Sequence, residues 1–297
     1  MSAESQRNSD IRSSVIVISS HVVRGSVGNR AAVFALETLG FPVWAVPTVI
    51  LPWHPGHSRA TRIVPSREDF ASLIDDLCGA PWLGEVGAVL SGYLGDAGQA
   101  DDVARLVDAV RKVNPGALYL CDPVIGDVGG LYVPEAVATA IASKLISMAD
   151  IATPNVHELA WLSGAPIADA SSLIAAAETL GPARVLVTSA IALMAGSTGN
   201  MLISGGQTLM AEHRLIPNAP NGLGDLMSAT FLARLLEGVP DEKALQMATG
   251  AVFEILARTA RRGADELTLE TDAQSLRTPM AMVSMRRIRS TADRTKS

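Results

Sequence analysis

The chain has 297 residues, of which 48% are hydrophobic and only 18% charged, with a formal net charge of -6. That length and apolar content suit one large α/β domain or two small ones, and the acidic balance argues against a general nucleic-acid surface. Cys78 and Cys121 stand far apart with no CxxC pair, which suggests neither a disulfide framework nor a zinc site and favours a reducing, cytoplasmic setting.

Residues 1–12 are polar, with no apolar signal-peptide core, and are expected to be a flexible N-terminus. Val15-Ile16-Val17-Ile18 is a short β-branched run fit for a strand buried on both faces. Gly25 and Gly28 then break the chain before a helix from about Asn29 to Leu39, and Pro42 to Thr48 reads as a second strand. Ile50 to Arg62, with Pro52, Trp53, His54, Pro55, Gly56 and His57, reads as an exposed loop or flap. A helix follows Pro65, with Ser66 as its cap and Phe70, Leu73, Ile74 and Leu77 at helical spacing.

An alternation comes next. Strands are predicted at Val86–Leu90, Ala117–Cys121, Asp150–Ala152 and Arg184–Thr188. Helices are predicted at Gly98–Val113, Val133–Leu145, Val156–Leu162 and Ser171–Leu180. Such alternation means βαβ units, a mainly parallel sheet and helices on both faces. Val185 to Ala211 carries no Asp, Glu, Lys or Arg, but its glycines divide it into short strands and turns, so Ile191 to Leu215 reads as an antiparallel edge and not a membrane span. Leu226–Glu237 and Asp241–Thr259 read as helices, the first with an apolar stripe of Ala229, Leu232, Leu235 and Leu236. Residues 279–297, with Arg286, Arg287, Arg289, Arg294 and Lys296, read as a mobile basic tail, leaving one domain over 13–278.

In open parallel sheets, ligands bind beyond the C-terminal strand ends. Polar and acidic residues fall there repeatedly: Ser19-Ser20-His21, Ser91-Gly92-Tyr93, Asp122, Thr153-Pro154-Asn155-Val156-His157-Glu158, and Thr188-Ser189. Before the penultimate helix stands Gly222-Leu223-Gly224-Asp225. Glycine amides at a helix N-terminus suit a phosphate, and a carboxylate beside that cradle suits a phosphoryl-transfer base. An ordinary loop and capped helix would also account for that stretch alone. Asp122 and Glu158, with Asn155 one turn before Glu158, are candidates for Mg²⁺, which binds through one or two acids; a turn at Asp122-Pro123 and an exposed first-turn acid at Glu158 are the plainer alternatives. No lysine follows a glycine, so a Walker A loop is absent; Met227 stands where a Rossmann fingerprint needs its third glycine, and no GxSxG elbow occurs. In His54-Pro55-Gly56-His57, the Pro and Gly prevent helical metal-pair geometry.

From Val15 to about Thr259 the chain resembles the pyridoxal kinases of the ribokinase-like vitamin kinases. The carrying motifs are Ser20–Ala32, Ser91–Gly95, Cys121–Val124, Thr153–Glu158 and Gly222–Asp225. The resemblance implies a three-layer αβα ribokinase-like fold with an antiparallel edge, and phosphorylation of the 5′-hydroxyl of pyridoxal, pyridoxine or pyridoxamine in B6 salvage. It implies Asp225 as catalytic base, the Gly222 and Gly224 amides as an anion hole, and Ser20, Thr48 and Tyr93 around the vitamin. Asp122 and Glu158 would hold Mg²⁺. Asp122, Thr153, Asn155, Glu158, Thr188, Leu223 and Arg214-Leu215-Ile216 would form the ATP side. A monovalent cation such as K⁺ and a homodimer are further implications, with no nucleic-acid or membrane partner. The family flap reads close to Q-F-S-N-H-T-x-Y, whereas here Ile50 to His57 shares only His54 and carries Pro55 in place of the threonine. Leu223 replaces a Thr or Val, and Thr188 a Lys of some relatives. A hydroxymethylpyrimidine kinase shares the Asp225 cluster and is the alternative enzyme; a catalytically weak vitamer-binding regulatory protein is the alternative of another class.

Overall fold

A computed structural model describes residues 12–288. Its centre is a nine-stranded sheet in the order β11-β10-β9-β8-β7-β4-β3-β1-β2. These strands are β1 (Ser14–Val22), β2 (Val43–Leu51), β3 (Val86–Ser91), β4 (Leu118–Cys121), β7 (Ile151–Ala152), β8 (Arg184–Ala190), β9 (Ser197–Ser204), β10 (Gln207–Arg214) and β11 (Ser284–Ile288). From β2 across to β8 every pairing is parallel, and from β8 to β11 every pairing is antiparallel. The expected parallel sheet with an antiparallel edge is what forms.

The continuous apolar run of β1 serves two cores at once, because successive side chains leave a strand on opposite faces. Val15 and Val17 pack with α1 (Asn29–Thr38), α7 (Leu223–Leu236) and α8 (Asp241–Arg262). Ile16 and Ile18 pack on the other face with α2 (Arg67–Cys78), α3 (Gln99–Val113) and the helical segment opened by α4 (Glu135–Ala140). A satellite core joins β8, β9 and β10 to α5 (Val156–Ser163) and α6 (Ala170–Glu178). Each helix thus covers apolar sheet surface, and the result is three layers.

Several local expectations hold for identifiable reasons. Ser66 caps α2 by accepting from the Asp69 amide, and Gly164 ends α5 in the left-handed region. Others are corrected. The apolar stripe foreseen on α7 is instead burial on all sides from Leu226 to Arg234, because α1, α8 and the sheet all press on it. The helix foreseen over Val133–Leu145 is α-helical only to Ala140 and then widens into a π turn over Ile141–Leu145. The basic tail foreseen from residue 279 is in part structure. Residues 284–288 extend the sheet as β11, where Arg286 pairs with the buried Glu212 at 3.0 Å and Arg287 pairs with Glu242. A short α9 (Ala273–Arg277) precedes it. Residues 1–11 and 289–297, including Arg289, Arg294 and Lys296, lie outside the described residues. Among the described residues, no helix is long and apolar enough to cross a membrane.

Candidate active site

The parallel strands β1, β3, β4, β7 and β8 all end toward one side, and a cavity of about 690 Å³ lies beyond those ends. Ser20 comes from β1, Tyr93 follows β3, Asp122 follows β4, Thr153 follows β7, and Thr188 lies on β8; all line it. The flap contributes His54, Pro55, Gly56 and Arg62. A small hairpin, β5 (Gly126–Asp127) with β6 (Gly130–Leu131), contributes Asp127, and Tyr132 follows it. Sequence reading missed this hairpin, although Gly129-Gly130 is its turn signal and Gly130 has φ 97°.

Gly222, Gly224 and Asp225 meet the cavity at the start of α7. Gly222 is the N-cap residue in the left-handed region, with φ 95°, and a Cβ there would lie 2.0 Å from the Ser26 backbone oxygen. Only glycine fits that approach. The amides that follow have no partner within the helix, since the first turn of any helix leaves its N–H groups open. They and the helix dipole favour an anion at this point.

The Asp225 carboxyl sits in the same corner. Burial is the main cause that raises its pKa to about 6, while donation from the amides of Gly28 and of Asp225 itself pulls it down. Gly28 is in turn locked beneath Ser20, because a Cβ at Gly28 would strike the Ser20 backbone oxygen at 2.3 Å. Asn29 fastens the neighbouring strand ends by donating to the Ser19 and Val46 oxygens at 3.1 and 3.2 Å. The motif from Ser20 to Asn29 therefore builds the wall against which Asp225 rests.

On the other side stands an acid pair. Burial first, then the nearness of Glu158 and Asp225, pushes the Asp122 carboxyl well above the usual carboxylate range. Ser228 donates to Asp122 Oδ2 at 2.8 Å, and its hydroxyl also contacts the Thr153 hydroxyl at 2.8 Å. Ser228 was not foreseen, though its place three residues after Asp225 puts both on one helix face. Glu158 is raised by burial too, against donation from the amides of Asn155, Ile125 and Gly126. Those amides reach its two oxygens at 2.9, 2.8 and 3.4 Å, so Glu158 already ties α5 to the loop after β4. Asn155 completes the capping box of α5 and donates to the Gly126 oxygen at 2.8 Å. Val124 and Ser189, both lining the cavity, hold positive φ of 46° and 50°, an uncommon backbone state concentrated at this site.

A cation suits this arrangement, because it relieves two buried, mutually repelling carboxyls. Among the described residues no group of three or more His, Cys, Asp or Glu side chains is placed to hold a metal ion. Asp122 and Glu158 are the residues that would hold such a cation, with phosphate oxygens and water completing its shell, and Glu158 also holds the loop after β4. His54 Nδ1 accepts from the Gly56 amide at 3.1 Å, and His57 pairs with Glu266 at 2.7 Å.

Two of the expected contacts are corrected. Thr48 is fully buried and does not line the cavity; its hydroxyl donates to the Tyr93 backbone oxygen at 2.6 Å, so it positions the Tyr93 stretch. A second cavity of about 160 Å³ shares Thr188, Ser189 and Gly224 with the first. Leu215, Ile216 and Leu223 line it, with His213 and Phe253, whose rings stack at 4.4 Å. Arg214 lines neither cavity and faces a shallow surface hollow beside Arg261, because its neighbours alternate across the strand end. The large cavity thus adjoins the small, largely apolar one across the start of α7.

The profile of a family described as phosphomethylpyrimidine kinase matches residues 84–269. A pyridoxal kinase of Rubrobacter xylanophilus is 38% identical over 281 residues, covering 92% of this chain and 97% of that one. A pyridoxal kinase of Deinococcus radiodurans is 37% identical over 267 residues, covering 86% and 90%. The solved pyridoxal kinase of Leishmania donovani in complex with ADP and pyridoxamine superposes with a TM-score of 0.87 at 28% identity, covering 93% of this chain and all of that one. Its complex with ADP and pyridoxine superposes with a TM-score of 0.86.

Proposed function

The chain belongs to the pyridoxal kinase family, and we propose that it transfers the γ-phosphoryl group of ATP to the 5′-hydroxyl of pyridoxal and its vitamers. The observation that carries this reading is the corner where Asp225, raised to about pH 6, adjoins the open amides at Gly222 and Gly224. The carboxylate accepts the proton of the 5′-hydroxyl as its oxygen bonds to the γ-phosphorus. The bond from that phosphorus to the β–γ bridging oxygen breaks, and ADP leaves. The amides at the start of α7 receive the charge that develops on the transferring group, an interaction worth about 3 kcal/mol of barrier per donor. Bound Mg²⁺ would neutralise charge on the phosphates beside Asp122.

Ser20 and Tyr93 take the pyridine ring, Ser20 by hydrogen bonding the ring nitrogen and Tyr93 by offset stacking. Thr153, Asn155 and Thr188 face the phosphates, and the small cavity with its His213–Phe253 stack takes the base. A homodimer and activation by K⁺ belong to the same proposal. Light scattering and ADP release with K⁺ exchanged for Na⁺ test them.

The matching profile supports a second reading, phosphorylation of a hydroxymethylpyrimidine alcohol. Coupled ADP release with the two alcohols side by side separates the readings. We expect pyridoxal to be turned over with the higher kcat/KM; preference for the pyrimidine would establish the second reading. Tight pyridoxal binding with no ADP release would instead indicate a vitamer-binding regulator.

A further inference from the structure

The flap carries a charge that the family resemblance leaves unassigned. Arg62 lines the large cavity, and among the residues lining it no other is lysine or arginine. Its Nη2 donates to the Gly95 backbone oxygen at 2.8 Å and reaches the Tyr93 hydroxyl at 3.3 Å. Both partners belong to the Ser91–Gly95 stretch, which walls the end of the cavity assigned to the vitamin. Three other arginines are ion-paired instead: Arg24 with Asp265, Arg67 with Asp102, and Arg105 with Asp75 and Asp102. Both of these Arg62 contacts go to neutral oxygens, which fix the guanidinium in place without cancelling its charge.

The three vitamers share their ring and 5′-hydroxymethyl group and differ only at the 4′ carbon. Pyridoxal carries an aldehyde there, pyridoxine an alcohol and pyridoxamine an aminomethyl group. An alkylamine is protonated at neutral pH, as a lysine amine is. The other two substituents are neutral and offer an oxygen that can accept from a guanidinium. We propose that Arg62 is a specificity-determining residue, admitting vitamers with a neutral, oxygen-bearing 4′ substituent and discriminating against the cationic 4′-aminomethyl group of pyridoxamine. This rests on the B6-kinase reading above.

Like charge placed against like charge is an effective way to reject a competing ligand. The cavity's carboxyls do not offset this at the vitamin end. Asp122, Glu158 and Asp127 stand at the phosphate side, and Asp225 faces the reacting hydroxyl. The nearby flap histidine, His54, has its pKa lowered by burial and is neutral at pH 7. Arg62 is therefore the positive group that an incoming ammonium meets.

The test compares kcat/KM for pyridoxal, pyridoxine and pyridoxamine at saturating Mg–ATP in the wild type, Arg62→Gln and Arg62→Lys. Glutamine keeps a donor for the Gly95 oxygen and removes only the charge; lysine keeps the charge. The pyridoxamine-to-pyridoxal ratio should rise roughly 5- to 20-fold in Arg62→Gln and stay near the wild-type value in Arg62→Lys. Raising ionic strength should narrow the wild-type discrimination, since the site opens to solvent. A ratio unchanged within about twofold in Arg62→Gln, or a rise in KM for ATP with the vitamer ranking intact, overturns the inference and assigns the cation to the phosphates. Absence of ADP release from the wild type with all three vitamers overturns the B6 reading itself, a result distinct from the other two.

Discussion

Asp225 is held in a state that costs stability and suits catalysis. Its carboxyl titrates near pH 6 in the folded chain, against an ordinary value of 3.8. Between those values the folded state binds more protons than the unfolded one, so Asp225 lowers stability as pH rises through that window. Asp225→Asn should therefore raise the melting temperature at pH 7, through roughly 1–3 kcal/mol, while removing the base and lowering kcat about 10²-fold or more. A variant both less active and less stable would show that the carboxylate supports the fold. Ser228 offers a related check. Ser228→Ala removes the donor to Asp122, and the resulting loss of Mg–ATP affinity should be on the order of 10-fold, read as KM for ATP with KM for pyridoxal unmoved.

At the scale of elements, the start of α7 depends on a backbone conformation that side chains rarely adopt. Gly222→Ala must relieve a contact with the Ser26 oxygen and a left-handed φ, and should cost about 1–3 kcal/mol of stability; urea unfolding with the wild-type midpoint would contradict this. The β10–β11 edge makes a second prediction. Glu212 is fully buried and takes donation from the Leu193 and Met194 amides as well as from Arg286. Arg286→Ala should destabilise the chain by about 1–3 kcal/mol, and a midpoint unchanged in denaturant would show β11 to be dispensable. These elements differ in how legible they were. Val15–Ile18 and the four following βα alternations were readable because a doubly buried strand needs an unbroken apolar run. The strand Ser284–Ile288 was not, because on a sheet edge charged residues such as Arg286 are neutralised by a buried acid far away in sequence. Nor was the pairing of Gly126–Asp127 with Gly130–Leu131, too short to show any periodicity.

For the molecule as a whole, the sheet's crossover topology gathers residues from Ser20 to Asp225 into one cavity. The polar residues at successive strand ends foretold this convergence. Thr48 shows the limit of that argument: it ends a predicted strand, yet β2 runs on to Leu51 and its hydroxyl turns inward to the Tyr93 oxygen. Which way a strand-end side chain points depends on strand phase and on a partner from another strand, and neither is written locally. Ser228 and the His213–Phe253 stack were hidden for the same reason, since their significance appears only when helices and sheet are brought together. The central claim is that Asp225 acts as the base in phosphoryl transfer to pyridoxal, and kcat/KM for pyridoxal measured by ADP release from pH 5 to 8 tests it most directly, with Asp225→Asn alongside. The wild-type profile should climb as pH rises through about 6, where Asp225 ionises, and the folded variant should be slower by about 10²-fold or more with that rise gone. A variant that keeps the wild-type rate and profile would contradict it.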